Sequence, residues 1–201
     1  MKYKIIKNLI TKDNANLLYK YLVSKDKILK TFLESKFIDS NTELFGMFGD
    51  KQVDDAYAIY GDPLFEVVLE EVKSEIEKVV EYKLYENFAY SRLYKKGNEL
   101  KIHTDRSACE LAISVHLGGF KWSIYIDDEE INLDQGDAVI YDGAKLKHYR
   151  KPLEDKNCGQ LFLFYSKNKD EYLDKRPHRR PFHIRVDIEQ TNKKGELVKY
   201  K

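Results

Sequence analysis

The chain has 201 residues, 42% of them hydrophobic and 13% aromatic, enough for a single domain with a sizeable core. Its 35 Lys and Arg nearly cancel its 34 Asp and Glu, so no overall basic excess points to nucleic acid or to an anionic membrane. No run of about 18 apolar residues occurs, and the apolar start of MKYKIIKNLITKDNANLL is broken by Lys7, Asn8 and Lys12, unlike a secretory leader. The expectation is a cytoplasmic protein with no membrane partner. Cys109 and Cys158 form no CxxC pair and are too few for a disulfide framework, so both are expected as reduced thiols.

From Asn14 to about Leu33, residues Leu17, Leu18, Tyr21, Leu22, Ile28, Leu29 and Phe32 recur at helical spacing, which predicts one or two helices starting near Thr11 to Asn14. The stretch from Phe37 to Gly61 mixes Asn, Asp and Gly with Phe45, Phe48, Tyr57 and Tyr60 and reads as an irregular segment with aromatic anchors, suited to a pocket rim. Pro63 suits a helix start, and Leu64, Val67, Val68, Val72, Ile76, Val79 and Val80 follow at three- and four-residue steps, predicting one helix.

After Tyr82 the period shortens to strand-like runs separated by turn residues: NFAYSRLY, LKIHTD, LAISVHLG, KWSIYID, DAVIYDG and GQLFLFYS. No long helical pattern interrupts them, which disfavours a parallel βαβ sheet and favours an antiparallel double-sheet jelly-roll. The expected fold is mainly β with flanking helices: a double-stranded β-helix, or cupin-like, core with the N-terminal helices packed on one face. Residues 1–201 read as one domain, with 1–82 as helical and irregular support, 83–166 as the core and 167–201 as a basic extension. Within that extension RPHRRPFHIR holds Arg176, Arg179, Arg180 and Arg185 and no acid, which reads as a solvated tail or as a patch facing phosphates or a partner.

The chemistry concentrates in His103, Thr104 and Asp105, with His148 43 residues beyond the aspartate. Alternate side chains of a strand share a face, so His103 and Asp105 can point inward together while Thr104 points away. A histidine from a later antiparallel strand completes two imidazoles and one carboxylate on a triangular face, leaving positions open for substrate and O₂, an arrangement that suits Fe(II). An HxD tripeptide alone is a weak signal. Its context is stronger: the Gly136–Asp137 turn feeds an apolar strand, and His148 follows that strand with another beyond it.

The segments YKKGNELKIHTD, GDAVIYDG and KHYR, in this order and spacing, resemble the Fe(II)- and 2-oxoglutarate-dependent dioxygenases, and within them the prolyl 4-hydroxylase-like branch, including a less characterised phage and bacterial group sharing HTDRxxCE. The resemblance covers about residues 60 to 166. It implies His103, Asp105 and His148 as iron ligands, with O₂ and 2-oxoglutarate as cosubstrates, and oxidation of a substrate C–H bond with release of succinate and CO₂. It implies Tyr94 as a hydrogen-bond donor to the far carboxylate of 2-oxoglutarate, although Tyr94 also reads as a core aromatic.

The chain departs from the hydroxylase pattern where a basic residue usually grips that carboxylate: Cys158 and Gln160 stand there instead. Arg150, two residues beyond His148, would share its inward face and offers a planar fork for a carboxylate, so it is the expected anchor with Gln160 assisting. It also reads as a surface arginine at a strand end. Arg92, on the face of Tyr90 and Tyr94, is the alternative anchor or a salt-bridge residue. Arg106 can pair with Glu110 or support Asp105, and Trp122 and Tyr125 can line the barrel mouth or pack. The substrate is an unidentified protein, peptide or small molecule. Two other readings remain: a cupin-like module that binds ligand without turnover, and an oxygenase acting on nucleic acid through the basic tail.

Overall fold

The computed structural model describes residues 2–38, 45–168, 188–191 and 197–200. Helix α1 (Lys12–Glu34) starts where the Thr11 hydroxyl accepts a hydrogen bond from the Asn14 N–H, satisfying a donor of the first turn that has no partner within the helix. It runs unbroken and buries Leu18, Leu22 and Leu29. The pattern from Pro63 to Val80 divides instead of forming one helix. Helix α2 (Pro63–Glu71) is capped by Asp62, and α3 (Lys73–Val80) follows after Val72. The hydrogen-bond ladder still crosses the junction, from Val72 N–H to the Val68 carbonyl and from Ile76 N–H to the Val72 carbonyl, so the division is a local bend. No described helix is long and apolar enough to cross a membrane.

Seven strands form one antiparallel sheet: β1 (Tyr3–Ile6), β2 (Met47–Phe48), β3 (Tyr57–Tyr60), β4 (Tyr85–Lys95), β6 (Leu111–Gly119), β9 (Ala138–Asp142) and β11 (Asn157–Ser166), in the order β1-β9-β6-β11-β4-β3-β2. Four form the facing sheet: β5 (Leu100–His103), β7 (Ile124–Ile126), β8 (Glu129–Ile131) and β10 (His148–Arg150), in the order β5-β10-β7-β8. Strands β12 (Ile188–Thr191) and β13 (Leu197–Tyr200) pair with each other. This is the expected jelly-roll core, and every predicted β run lies on a strand.

The segment from Phe37 to Gly61 departs from the irregular reading, because β2 and β3 extend the large sheet beyond β4. Strand β3 is buried on both faces, so its sequence YAIY carries no polar alternation to mark it.

Strand alternation sorts the core into two layers. On β11, Leu161, Leu163 and Tyr165 face the helices, while Phe162 and Phe164 face the space between the sheets. Strand β4 divides the same way, with Ala89 and Leu93 outward and Phe88 and Tyr94 inward. The helices cover one face of the large sheet, and the other face is left to line the interior where the functional groups collect.

The turn before β9 is tied to the N-terminal segment. The Asp137 carboxylate accepts hydrogen bonds from the Asn8 and Asp134 N–H groups and from the Lys7 ammonium. Gly136 adopts φ +89°, and the Ile10 carbonyl oxygen approaches to 2.1 Å from where a Cβ would stand, so only glycine fits. Burial pushes the Asp137 carboxyl upward, but Lys7 and the two N–H groups hold it below the usual carboxylate range. Its contribution is therefore complete at neutral pH and is lost only as acid protonates the folded protein. Asp137→Ala leaves these donors unmatched and should lower stability by about 1–3 kcal/mol, read from urea unfolding at neutral pH; an unchanged midpoint would refute the clamp.

Candidate active site

His148 on β10 lies directly opposite His103 on β5, and the register between the two strands shifts just beyond this pair. Between His148 and Arg150, β10 advances two residues while β5 passes from His103 to Leu100, so the extra residue is on β5, a bulge that re-aims the end of the strand. Asp105 lies past the end of β5, held by its own N–H donating to the Gly143 carbonyl at 2.8 Å. The ligand atoms of His103, Asp105 and His148 all fall within 4.8 Å of one another. Asp105 Oδ1 is 3.5 Å from His103 Nε2 and 3.6 Å from His148 Nε2.

The tautomers favour a metal. His103 Nδ1 is 2.8 Å from the Lys101 carbonyl and His148 Nδ1 is 3.0 Å from the Leu146 carbonyl. A carbonyl only accepts, so each Nδ1 carries a proton, which leaves Nε2, turned toward Asp105, as the atom that can bind a metal. Burial pushes the Asp105 carboxyl upward, yet the two imidazoles hold it below its ordinary range, so the site keeps one full negative charge. Two neutral imidazoles and one carboxylate can hold a divalent first-row ion and leave further coordination positions open.

Arg150 and Gln160 are brought together as expected. Arg150 is 2% exposed, so it is not a surface arginine. Its Nη1 donates to the Trp122 carbonyl at 2.6 Å, and its Nη2 lies 3.2 Å from both Ser114 Oγ and Gln160 Oε1. Its Nε is buried with no partner, and among the described residues no carboxylate pairs with it. A buried guanidinium surrounded only by neutral groups is costly unless an anion completes it.

Tyr94 and Arg150 flank the same indole: the Tyr94 ring meets Trp122 edge-on at 4.8 Å, and Arg150 Cζ lies 5.1 Å from the Trp122 ring centre. Tyr141 on β9 was not apparent from the sequence. It packs edge-on against His148 at 4.9 Å, and burial, followed by the charge of Asp105, holds its phenol well above the usual range, with Arg150 acting in the opposite sense. The signal that could have found it is alternation along AVIYD, which turns Val139 and Tyr141 inward together.

Arg92 has a different environment. It pairs with Asp50, receives further contacts from Tyr90 and Gln52, and donates from Nη1 to the Tyr94 hydroxyl at 3.1 Å. Asp50 in turn accepts from the Tyr90 hydroxyl at 2.7 Å. Asp50, Gln52, Tyr90 and Arg92 line a cavity of about 340 Å³ beside Asp105, walled also by Phe88 and Phe164. A larger hollow of about 1220 Å³, lined by Tyr19, Lys27, Lys95 and Asp155 among others, contains none of the triad.

Arg106 packs over Phe88 at the rim of the smaller cavity, and Glu110 is 3.6 Å from Lys167. Trp122 is buried, whereas Tyr125 stacks on Tyr149 at 4.9 Å with the Lys151 ammonium over its ring, away from the triad. Arg176, Arg179, Arg180 and Arg185 lie outside the described residues.

Gly143 permits the close approach at Asp105. A Cβ there would stand 2.7 Å from Asp105 Oδ2 and 2.8 Å from the Cys109 carbonyl, and the second is backbone that cannot move aside cheaply. Gly143→Ala should therefore weaken divalent metal binding by about 10- to 100-fold, measured by calorimetry with Mn(II), together with some loss of stability from the backbone clash; native affinity would show that Asp105 has slack.

No family model matches the sequence, and no curated protein does. Solved structures do match. A prolyl-4-hydroxylase from Pseudomonas putida aligns with TM-score 0.60 and 12% identity over 83% of this chain and 94% of its own. The viral collagen prolyl hydroxylase from Paramecium Bursaria Chlorella virus-1, solved as a 2-oxoglutarate complex, aligns with TM-score 0.57 and 13% identity over 82% and 96%. HygX from Streptomyces hygroscopicus, solved with nickel and 2-oxoglutarate bound, aligns with TM-score 0.55 and 11% identity over 83% and 82%. This chain therefore has the jelly-roll fold of the 2-oxoglutarate- and Fe(II)-dependent oxygenases, prolyl hydroxylases among them.

Proposed function

We propose that this protein is an Fe(II)- and 2-oxoglutarate-dependent dioxygenase that hydroxylates a C–H bond of a peptide or protein side chain. The observation that carries the reading is Arg150: a buried cation with an unpartnered Nε and no carboxylate, two residues along the strand from a metal ligand. A jelly-roll that bound a metal without turnover would have no need of an anion site facing that metal. The bound iron, O₂ and 2-oxoglutarate supply the oxidising step, in which the keto acid loses CO₂ and becomes succinate.

In this reading His103, Asp105 and His148 hold the iron. Arg150 receives the far carboxylate of 2-oxoglutarate, with Gln160 and Ser114 steadying the guanidinium. The Tyr94 oxygen accepts from Arg92, which leaves its own proton free to donate to the same carboxylate. Tyr141 packs against the His148 imidazole and supports that ligand. Arg92, already paired with Asp50, is better suited to shaping the substrate cavity than to anchoring the cosubstrate. That cavity, lined by aromatic and charged side chains, has room for a substrate side chain beside Asp105.

Anaerobic addition of Fe(II) and 2-oxoglutarate should give the weak visible charge-transfer band of the chelate; metal binding without the band would overturn the proposal. Arg150→Ala should raise the 2-oxoglutarate dissociation constant by roughly 10- to 150-fold, the loss of about 1.5–3 kcal/mol from hydrogen bonds to a charged group, while iron affinity stays near native. Equal loss of both would indicate collapse of the strand. Asp105→Ala should abolish succinate release, because two imidazoles alone make a poor iron site.

A further inference from the structure

We propose that His116 is a positioning residue for the cosubstrate pocket, fixing the Gln160 amide so that its oxygen faces Arg150. The inference rests on the reading of Arg150 as the carboxylate anchor. His116 and Ser114 share the inward face of β6, and Gln160 on β11 is in register with His116 on one side and with Arg92 on the other. All are buried.

A glutamine amide can be placed either way round, and the two placements are opposite in meaning. Guanidinium has only donors, so Arg150 is held only if Gln160 presents Oε1, which lies 3.2 Å from Nη2. The Ser114 hydroxyl, 3.4 Å from the same oxygen, can donate or accept and so suits either placement, and the choice is made at the other end of the amide. Gln160 Nε2 lies 3.2 Å from His116 Nδ1 and 3.0 Å from Cys158 Sγ. Thiol sulfur is a weak acceptor, so the imidazole nitrogen discriminates between the two placements. His116 Nδ1 must then be unprotonated, with the ring proton on Nε2. Burial, followed by the positive charges of Arg150 and Lys121, pulls the imidazole down to about 4, consistent with a ring that remains an acceptor at neutral pH.

The arrangement accomplishes something an acid could not. A carboxylate in place of Gln160 would steady Arg150 equally well but would neutralise it and repel the incoming 2-oxoglutarate. The neutral amide, kept in one orientation by His116, leaves the charge available. Without that acceptor the amide can turn, and its NH₂ would then face the guanidinium donor to donor.

The chain contains one tryptophan, Trp122, and it contacts Arg150, so its fluorescence reports on the pocket without turnover. The full chain loaded with Ni(II) is titrated with 2-oxoglutarate. His116→Leu should weaken 2-oxoglutarate by about five- to tenfold with unchanged Ni(II) affinity. His116→Asn, whose amide oxygen can take the place of Nδ1, should stay within about twofold of native. With Fe(II), turnover of His116→Leu at saturating 2-oxoglutarate should match native while its KM for 2-oxoglutarate is raised. If His116→Leu does not fold, His116→Gln, whose amide reaches past the Nδ1 position, carries the same expectation. Arg150→Ala separates the two ideas: native 2-oxoglutarate binding in that variant overturns the anchor itself. Weak binding there, combined with native binding in the His116 variants or equal damage from Leu and Asn, overturns only the positioning role.

Discussion

The pairing of β10 with β5 is the contact on which the site depends. It sets His148 against His103, residues far apart in sequence, and does so with backbone hydrogen bonds that neither side chain has to supply. The carboxylate is added differently, from just past the strand end, by one N–H donated to Gly143 and by the absence of a Cβ there. Backbone geometry therefore assembles the three donors before any ion arrives, and the two carbonyls that orient the imidazoles belong to residues two positions before each histidine. A metal finds the lone pairs already turned toward one point, so little ordering of side chains has to accompany binding.

Two arginines on facing sheets show how burial of the same side chain can serve opposite ends. Arg92 on β4 has its charge offset by Asp50, and Tyr90, Tyr94 and Gln52 accept from its terminal nitrogens, although its Nε, like that of Arg150, is buried without a partner. Arg150 on β10 is held by a carbonyl, a hydroxyl and an amide, none of which carries charge. The first ties the segment that carries Asp50 to the large sheet and closes one side of a cavity. The second keeps an electrostatic deficit inside the barrel, a cost that structural burial alone does not explain. Tyr94 touches both systems, through its hydroxyl to Arg92 and through its ring to the indole beneath Arg150.

Much of this was legible in the sequence, for physical reasons that differ by element. The β runs after Tyr82 were readable because turn residues punctuate them, and the triad because the Gly136–Asp137 turn, the apolar strand and His148 follow the HxD in the order that a jelly-roll site requires. Arg150 was reachable by counting alternation from His148. Strand β3 escaped because a strand buried on both faces loses its alternation, and the bend at Val72 because apolar spacing continues through it. Asp50 and His116 were invisible for another reason: their roles depend on which strand lies beside which, a matter of topology that no local pattern encodes. Gln160, expected to assist Arg150, does lie against it, and Cys158, noticed only as the wrong residue for a cation, turns out to contact the Gln160 amide.

Strand β10 is three residues long, and both of its edges are taken, by β5 and by β7. Its first residue is His148 and its last is Arg150, so two steps of extended backbone, about 6.6 Å, separate the Cα atoms of the residues that, in the proposed reading, address the two ends of a bound diacid. With no free edge, that spacing cannot stretch to suit a different guest. In the proposed reading the strand would favour one length of keto diacid over shorter or longer ones, so that molecular length as well as charge would decide what this small piece of sheet accepts.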